Sequence, residues 1–183
     1  MHKYRQHLYI GICGAPSTGK TALLNALKKR AAHYRLRFVD IRHCARAVAE
    51  RAAYKLNSQG SRESQFAIDA EQMTREEKLA HQHKITSRTI IDAYAHAKAN
   101  KLNLEAYYQT LMSKVSKYSL ILYIPIEPYV PFVSREGRNK EYQQRVDKSI
   151  KKIIKAHHIP VQVVSGNLDM RARLGWAAIN LLR

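Results

Sequence analysis

Acidic residues are scarce in this chain: 14 Asp and Glu stand against 32 Lys and Arg, a formal net charge of +18 over 183 residues. The basic excess sits at the two ends, with twelve basic against two acidic residues in 1–60, nine against seven in 61–120, and eleven against five in 121–183. Cysteine is nearly absent. Cys13 and Cys44 fall in an apolar strand-like run and a helical stretch, which excludes a disulfide framework and suits a reducing, cytoplasmic setting. No apolar run approaches the roughly 18 residues of a membrane span, so no membrane association is expected. The opening Met-His-Lys-Tyr-Arg-Gln-His leads straight into the first apolar segment and leaves no room for a signal peptide. Repeats, low-complexity tracts and Pro/Gly-rich linkers are also missing, so residues 1–183 are expected to form one domain. The nine histidines show no i, i+4 pair suited to a helical metal site, and no structural zinc is expected.

Glycine is rare too, with seven in all, yet two of them fall in a single octapeptide. Residues 14–21 read Gly-Ala-Pro-Ser-Thr-Gly-Lys-Thr, a complete G-x-x-x-x-G-K-[ST] pattern. The run Leu8–Cys13 before it is apolar and strand-like, and Thr21–Arg30 after it has helical spacing, with Leu23, Leu24 and Leu27 on one face. Strand, glycine loop and helix in that order let backbone N–H groups of Gly14, Ala15, Pro16's neighbours Ser17 and Thr18, and Gly19 curl around phosphate oxygens. The helix then aims its positive end at the same anion. Lys20 is placed to reach the β- and γ-phosphates, and Thr21 to offer a hydroxyl to Mg²⁺. ATP with Mg²⁺ is the expected ligand.

Alternation continues along the chain. Strands are expected at 37–41, 83–88, 118–124 and 161–164, with helices at 43–56, 62–83, 89–100, 102–117, 140–156 and 169–182. Five short strands separated by helices predict an α/β fold of three layers, a mostly parallel five-stranded sheet with helices on both faces. Ligands on such sheets sit at the carboxyl ends of the strands, which selects Asp40, Ser87, Arg88 and the segment 125–140. Asp40 is the first choice for a base that takes an acceptor's proton, because it ends an apolar strand; a helix N-cap is the competing role. Tyr107, Tyr108, Tyr129 and Phe132 are candidates to stack on a base or to fill the core edge.

Gly11–Leu27, Ser87–Tyr94 and the Arg135–Arg138 segment with its basic helix occur in an order that resembles the small P-loop kinase-type NTPases. These are related to ribosylnicotinamide kinase and, more distantly, to deoxynucleoside and thymidylate kinases. The resemblance covers nearly the whole chain and implies the P-loop NTPase fold and phosphate transfer from ATP to a nucleoside-like acceptor. It implies a lid around 126–145, in which Arg135 would touch the nucleotide and Arg138 would neutralise charge on the transferring group, with Arg145 nearby. It implies that Arg88 binds the acceptor or its phosphate. Asp92 matches the family's second aspartate and is a candidate for organising Mg²⁺ with Thr21; a first-turn helix aspartate is the other role for it. Two departures stand out. Such kinases commonly carry Asp-Arg where this chain has Ser87-Arg88, and a Glu after the second strand where Asp40 and His43 stand.

The strand Leu120–Ile124 contains no acid, which favours a kinase over a motor ATPase. The expected function is therefore transfer of the γ-phosphate of ATP to a hydroxyl of a nucleoside-type acceptor. The basic surplus, unneeded for a triphosphate alone, suggests an acceptor presented within DNA or RNA. A nucleic-acid-binding ATPase and a kinase of free nucleosides or nucleotides are the alternatives. Oligomeric state is not legible in the sequence.

Overall fold

The computed structural model describes residues 7–41, 44–128, 130, 132 and 139–183. His43, Tyr129, Arg135 and Arg138 lie outside the described residues, and with them part of the expected lid.

Strands β1 (Tyr9–Cys13), β2 (Val39–Ile41), β3 (Lys84–Thr86), β4 (Leu120–Tyr123) and β5 (Gln162–Val163) form one sheet in the order β2-β3-β1-β4-β5. Every pairing is parallel, with Ile10 level with Ile85 on one side and Leu120 on the other. Among the described residues, seven α-helices connect them: α1 (Lys20–His33), α2 (Cys44–Ala52), α3 (Arg62–Lys78), α4 (Ile90–Ala99), α5 (Glu105–Met112), α6 (Lys140–Ala156) and α7 (Leu168–Asn180). The three-layer α/β expectation is met. Three predicted helices are shorter by several residues than their periodicity suggested: α2 ends at Ala52, α3 at Lys78, and α5 gives way after Met112 to a 3₁₀ turn at Ser113–Lys117.

Alternation along β1 builds the two cores. Ile10 and Ile12 point to one face, where they meet Leu23, Leu24 and Leu27 of α1 and Trp176 and Ile179 of α7. Tyr9 and Cys13 point to the other, against Ile91 and Tyr94 of α4 and Tyr142, Val146 and Ile150 of α6. Each fully buried aliphatic side chain stabilises the fold by about 2 kcal/mol. Gly11, between them, has no room for a side chain: a Cβ there would lie 2.7 Å from Thr89 Cγ2. That close approach draws the start of α4 against β1, beside the phosphate loop.

Tyr107 and Tyr108 belong to this packing and not to a base-stacking surface. Tyr108 is fully buried, stacks on Tyr94 at 4.9 Å between centroids and donates its hydroxyl to Asp69 at 2.5 Å. Tyr107 sits edge-on against Phe66. Among the described residues, no helix is long and apolar enough to cross a membrane.

Candidate active site

The loop between β1 and α1 is held open from outside. Gly19, at φ +91°, caps α1 without any side-chain hydrogen bond, and no acid stands in the first turn. Helices α3, α4, α6 and α7 are instead capped by the side chains of Ser61, Thr89, Asn139 and Asn167. The N-terminus of α1 thus has no side-chain cap, an end that suits an anion. The loop's carbonyls are meanwhile drawn elsewhere. Thr18 Oγ1 donates to Ala15 O at 2.9 Å, Gln143 Nε2 of α6 to Pro16 O at 2.7 Å, and Arg171 Nη1 of α7 to Thr18 O at 2.7 Å. Lys20 Nζ donates to the carbonyls of Gly14 and Ala15, the latter at 2.8 Å. Ser17 takes a positive φ of 62°, the conformational cost of this tight curl.

Asp92 ties the loop to α4. Its Oδ1 accepts from Gly14 N–H at 3.0 Å and lies 3.9 Å from Lys20 Nζ, while Oδ2 accepts from Thr89 N–H at 2.8 Å and Thr89 Oγ1 at 2.6 Å. Of the two roles foreseen for it, Asp92 takes the helix-terminal one. It is the third residue of a capping box on α4, and it faces the phosphate loop.

The loop opens into a cavity of about 980 Å³ that crosses the carboxyl ends of β2 and β3 and runs beneath α2 and α3. Gly19, Lys20, Thr21, Arg88 and Asp92 all line it, so the structure brings together most of the predicted site. Asp40 stands apart from them. Its Oδ2 accepts from Lys28 Nζ at 2.8 Å, and it is not among the described residues that line the cavity. The reason is the strand's period of two: Ile41 faces the cavity, so Asp40 faces the α1 side. Asp40 is not placed to take a proton from an acceptor there, which corrects the expectation of a base at that position.

Arg88 follows β3 and leans toward α3. Its Nη2 stands 3.7 Å from Asp69 Oδ1, longer than a hydrogen bond, and both Nε and Nη2 are buried with no hydrogen-bond partner. Asp69 also accepts from Gln65 Nε2 at 2.9 Å, and burial raises its carboxyl above the usual range, against the opposing pull of Arg88. A turn further on, Gln72 Nε2 donates to Glu76 Oε1 and to Arg88 O, both at 2.9 Å. Glu76 also holds Lys117 and accepts from Tyr9 at 2.5 Å. This polar network behind Arg88 escaped the sequence reading. Gln65, Asp69, Gln72 and Glu76 are buried at i, i+4, i+7 and i+11 of α3, a polar stripe at helical spacing that was legible in principle. Arg46, Tyr54, Lys55, His96 and Asn100, which also line the cavity, carry no sequence signal, because only the fold gathers them.

A family model described as an AAA domain matches residues 9–171. The chain belongs to that family. No curated protein matches it by sequence, whereas solved structures do by shape. NadR protein in complex with NR superposes with a TM-score of 0.69 at 16% identity, over 97% of this chain and 51% of that one. NadR with NAD and AMP-PNP gives 0.71 at 16%, over 97% and 49%. The chain thus spans about half the length of the NadR chains it matches. Deoxyadenosine kinase from M. mycoides with dCMP and dCDP gives 0.60 at 18% identity, over 96% of this chain and 100% of that one. The fold is that of the P-loop kinase-type NTPases.

Proposed function

We propose that the chain is an ATP-dependent phosphotransferase acting on a nucleoside- or nucleotide-type acceptor. One observation carries this: the phosphate loop and Arg88 line a single cavity of about 980 Å³, room for a donor's phosphates and an acceptor side by side. The kinases and nucleotide complexes among the structural neighbours support the same class. The loop's N–H groups and the α1 N-terminus bind the triphosphate, and Lys20 turns from its carbonyl partners to the β- and γ-phosphates. The residues present fit Mg²⁺. Thr21 is exposed in the cavity at the start of α1 and supplies a hard oxygen donor, and the ion would offset the phosphates' charge. Asp92 already accepts three hydrogen bonds and serves to set the loop. Arg135 and Arg138 remain the proposed lid arginines.

The polymeric acceptor, a strand end of DNA or RNA, is the finer form of this proposal. Its support is the net charge of +18 and the exposed lysines 148, 151, 152 and 155 along one face of α6. Incubation with γ-labelled ATP and a panel of nucleosides, nucleotides and oligonucleotides tests the class. Label on an acceptor is expected; label found only as free phosphate refutes the transferase reading.

A further inference from the structure

In a planar trans peptide the C=O and the N–H that follows it point in opposite directions, so whatever grips a carbonyl also aims the next amide. Gln143 of α6, 7% exposed, donates Nε2 to Pro16 O at 2.7 Å and thereby turns the N–H of Ser17 to the opposite side. Arg171 of α7, 4% exposed, donates Nη1 to Thr18 O at 2.7 Å and does the same for Gly19. Ser17 and Gly19 are both left-handed, at φ 62° and 91°, the conformation by which a loop gathers its amides on one anion. For a serine that conformation costs stability, and an outside grip holds it in place. Lys20 also holds carbonyls, those of Gly14 and Ala15, but it releases them when it turns to a phosphate. Gln143 and Arg171 do not line the cavity, so their grip persists once a ligand is bound.

We infer that Gln143 and Arg171 are positioning residues of the triphosphate site, each fixing one amide of the loop toward the phosphates before the nucleotide arrives. The inference rests on reading residues 14–21 as the ATP site and on no particular acceptor. Neither residue belongs to the octapeptide; they lie 127 and 153 positions beyond the carbonyls they hold. Donors already in place spare the binding step the entropy of ordering the loop. Arg171 adds a second effect. Its Nε and Nη2 are buried with no hydrogen-bond partner among the described residues, and a Cβ on Gly19 would stand 3.4 Å from Nη1. An uncompensated positive charge thus lies directly behind the loop, and bound phosphate offsets it.

The test titrates the full chain by calorimetry with a non-hydrolysable ATP analogue and with inorganic tripolyphosphate, which has the phosphates and no base. Gln143→Met and Arg171→Met are compared with Tyr123→Phe. That control removes another buried hydrogen bond of α6, from Tyr123 Oη to Asp147 Oδ1 at 2.6 Å, without touching the loop. Gln143→Met should weaken both probes about fivefold and Arg171→Met about tenfold, whereas Tyr123→Phe should lower the melting midpoint and leave both affinities unchanged. In NMR spectra the ligand-induced shift of the Ser17 amide should shrink in Gln143→Met, and that of the Gly19 amide in Arg171→Met, each largely without the other. Unchanged affinity in either Met variant, or losses that follow the melting midpoint alike in all three variants, overturns the inference. Arg171→Met relieves a buried unpaired charge, so it carries the test even where Gln143→Met does not fold. A wild type that binds neither probe refutes instead the reading of the loop as a triphosphate site.

Discussion

Lys20 spans the mouth of its own loop, its ammonium shared between the carbonyls of Gly14 and Ala15 and 3.9 Å from Asp92. Its side chain is 16% exposed, so its loss removes a phosphate ligand without opening the core. Lys20→Ala should cut kcat/KM for ATP about a hundred- to a thousandfold while circular dichroism and the melting midpoint change little. Asp69 yields a pH prediction. Burial raises its carboxyl above the ordinary value, so the folded state holds that proton more tightly than the unfolded chain. Its contribution to stability is complete below the unfolded pKa of about 3.9 and is lost as pH rises through the raised folded value. Denaturant titrations across pH should therefore show the wild type losing ground to Asp69→Asn from acid toward neutral pH. A constant difference between the two would mean that Asp69 is not perturbed.

The elements explain why the loop is ready for a ligand and also how much of it the sequence could reveal. Arg171, in the first turn of α7, is only 4% exposed, and although Nη1 holds Thr18 O, its Nε and Nη2 have no partner. A buried guanidinium so poorly paired lowers stability, while its one good bond fixes the loop. Arg171→Met should leave the melting temperature unchanged or raised and weaken ATP binding about tenfold, read from the thermal shift with and without nucleotide. An equal drop in both would make Arg171 a structural residue only. Strand β1, the loop and α1 were legible because local pattern and phosphate chemistry coincide in Leu8–Arg30. Helix α3 was legible as a helix but not as a wall of the site, since Gln65, Asp69, Gln72 and Glu76 look like surface until tertiary packing buries them. Asp40 misled for a related reason. It was read as the end of its strand, but it is the middle residue of β2, level with Ile85 of β3, and Ile41 ends the strand.

On the scale of the whole molecule, the sheet order β2-β3-β1-β4-β5 sets β1 between β3 and β4. It thereby places the phosphate loop beside Arg88 on one flank and beside α6 on the other, through Gln143. Charge is the property that the fold leaves over. Of the lysines along α6, Lys151 pairs with Asp147 at 2.8 Å, and Lys148, Lys152 and Lys155 are exposed. Oligonucleotide affinity should fall steeply with salt, and replacing those three with Gln should reduce the log–log slope by about 2. A flat response would remove the polymer from consideration and leave a free nucleotide. The central claim is that one cavity joins an ATP donor to a nucleoside- or nucleotide-type acceptor, and it is tested most directly by following the γ-phosphate of labelled ATP. The account predicts label on such an acceptor, dependent on Lys20. Label released only as free phosphate, at a rate that no acceptor changes, would contradict it.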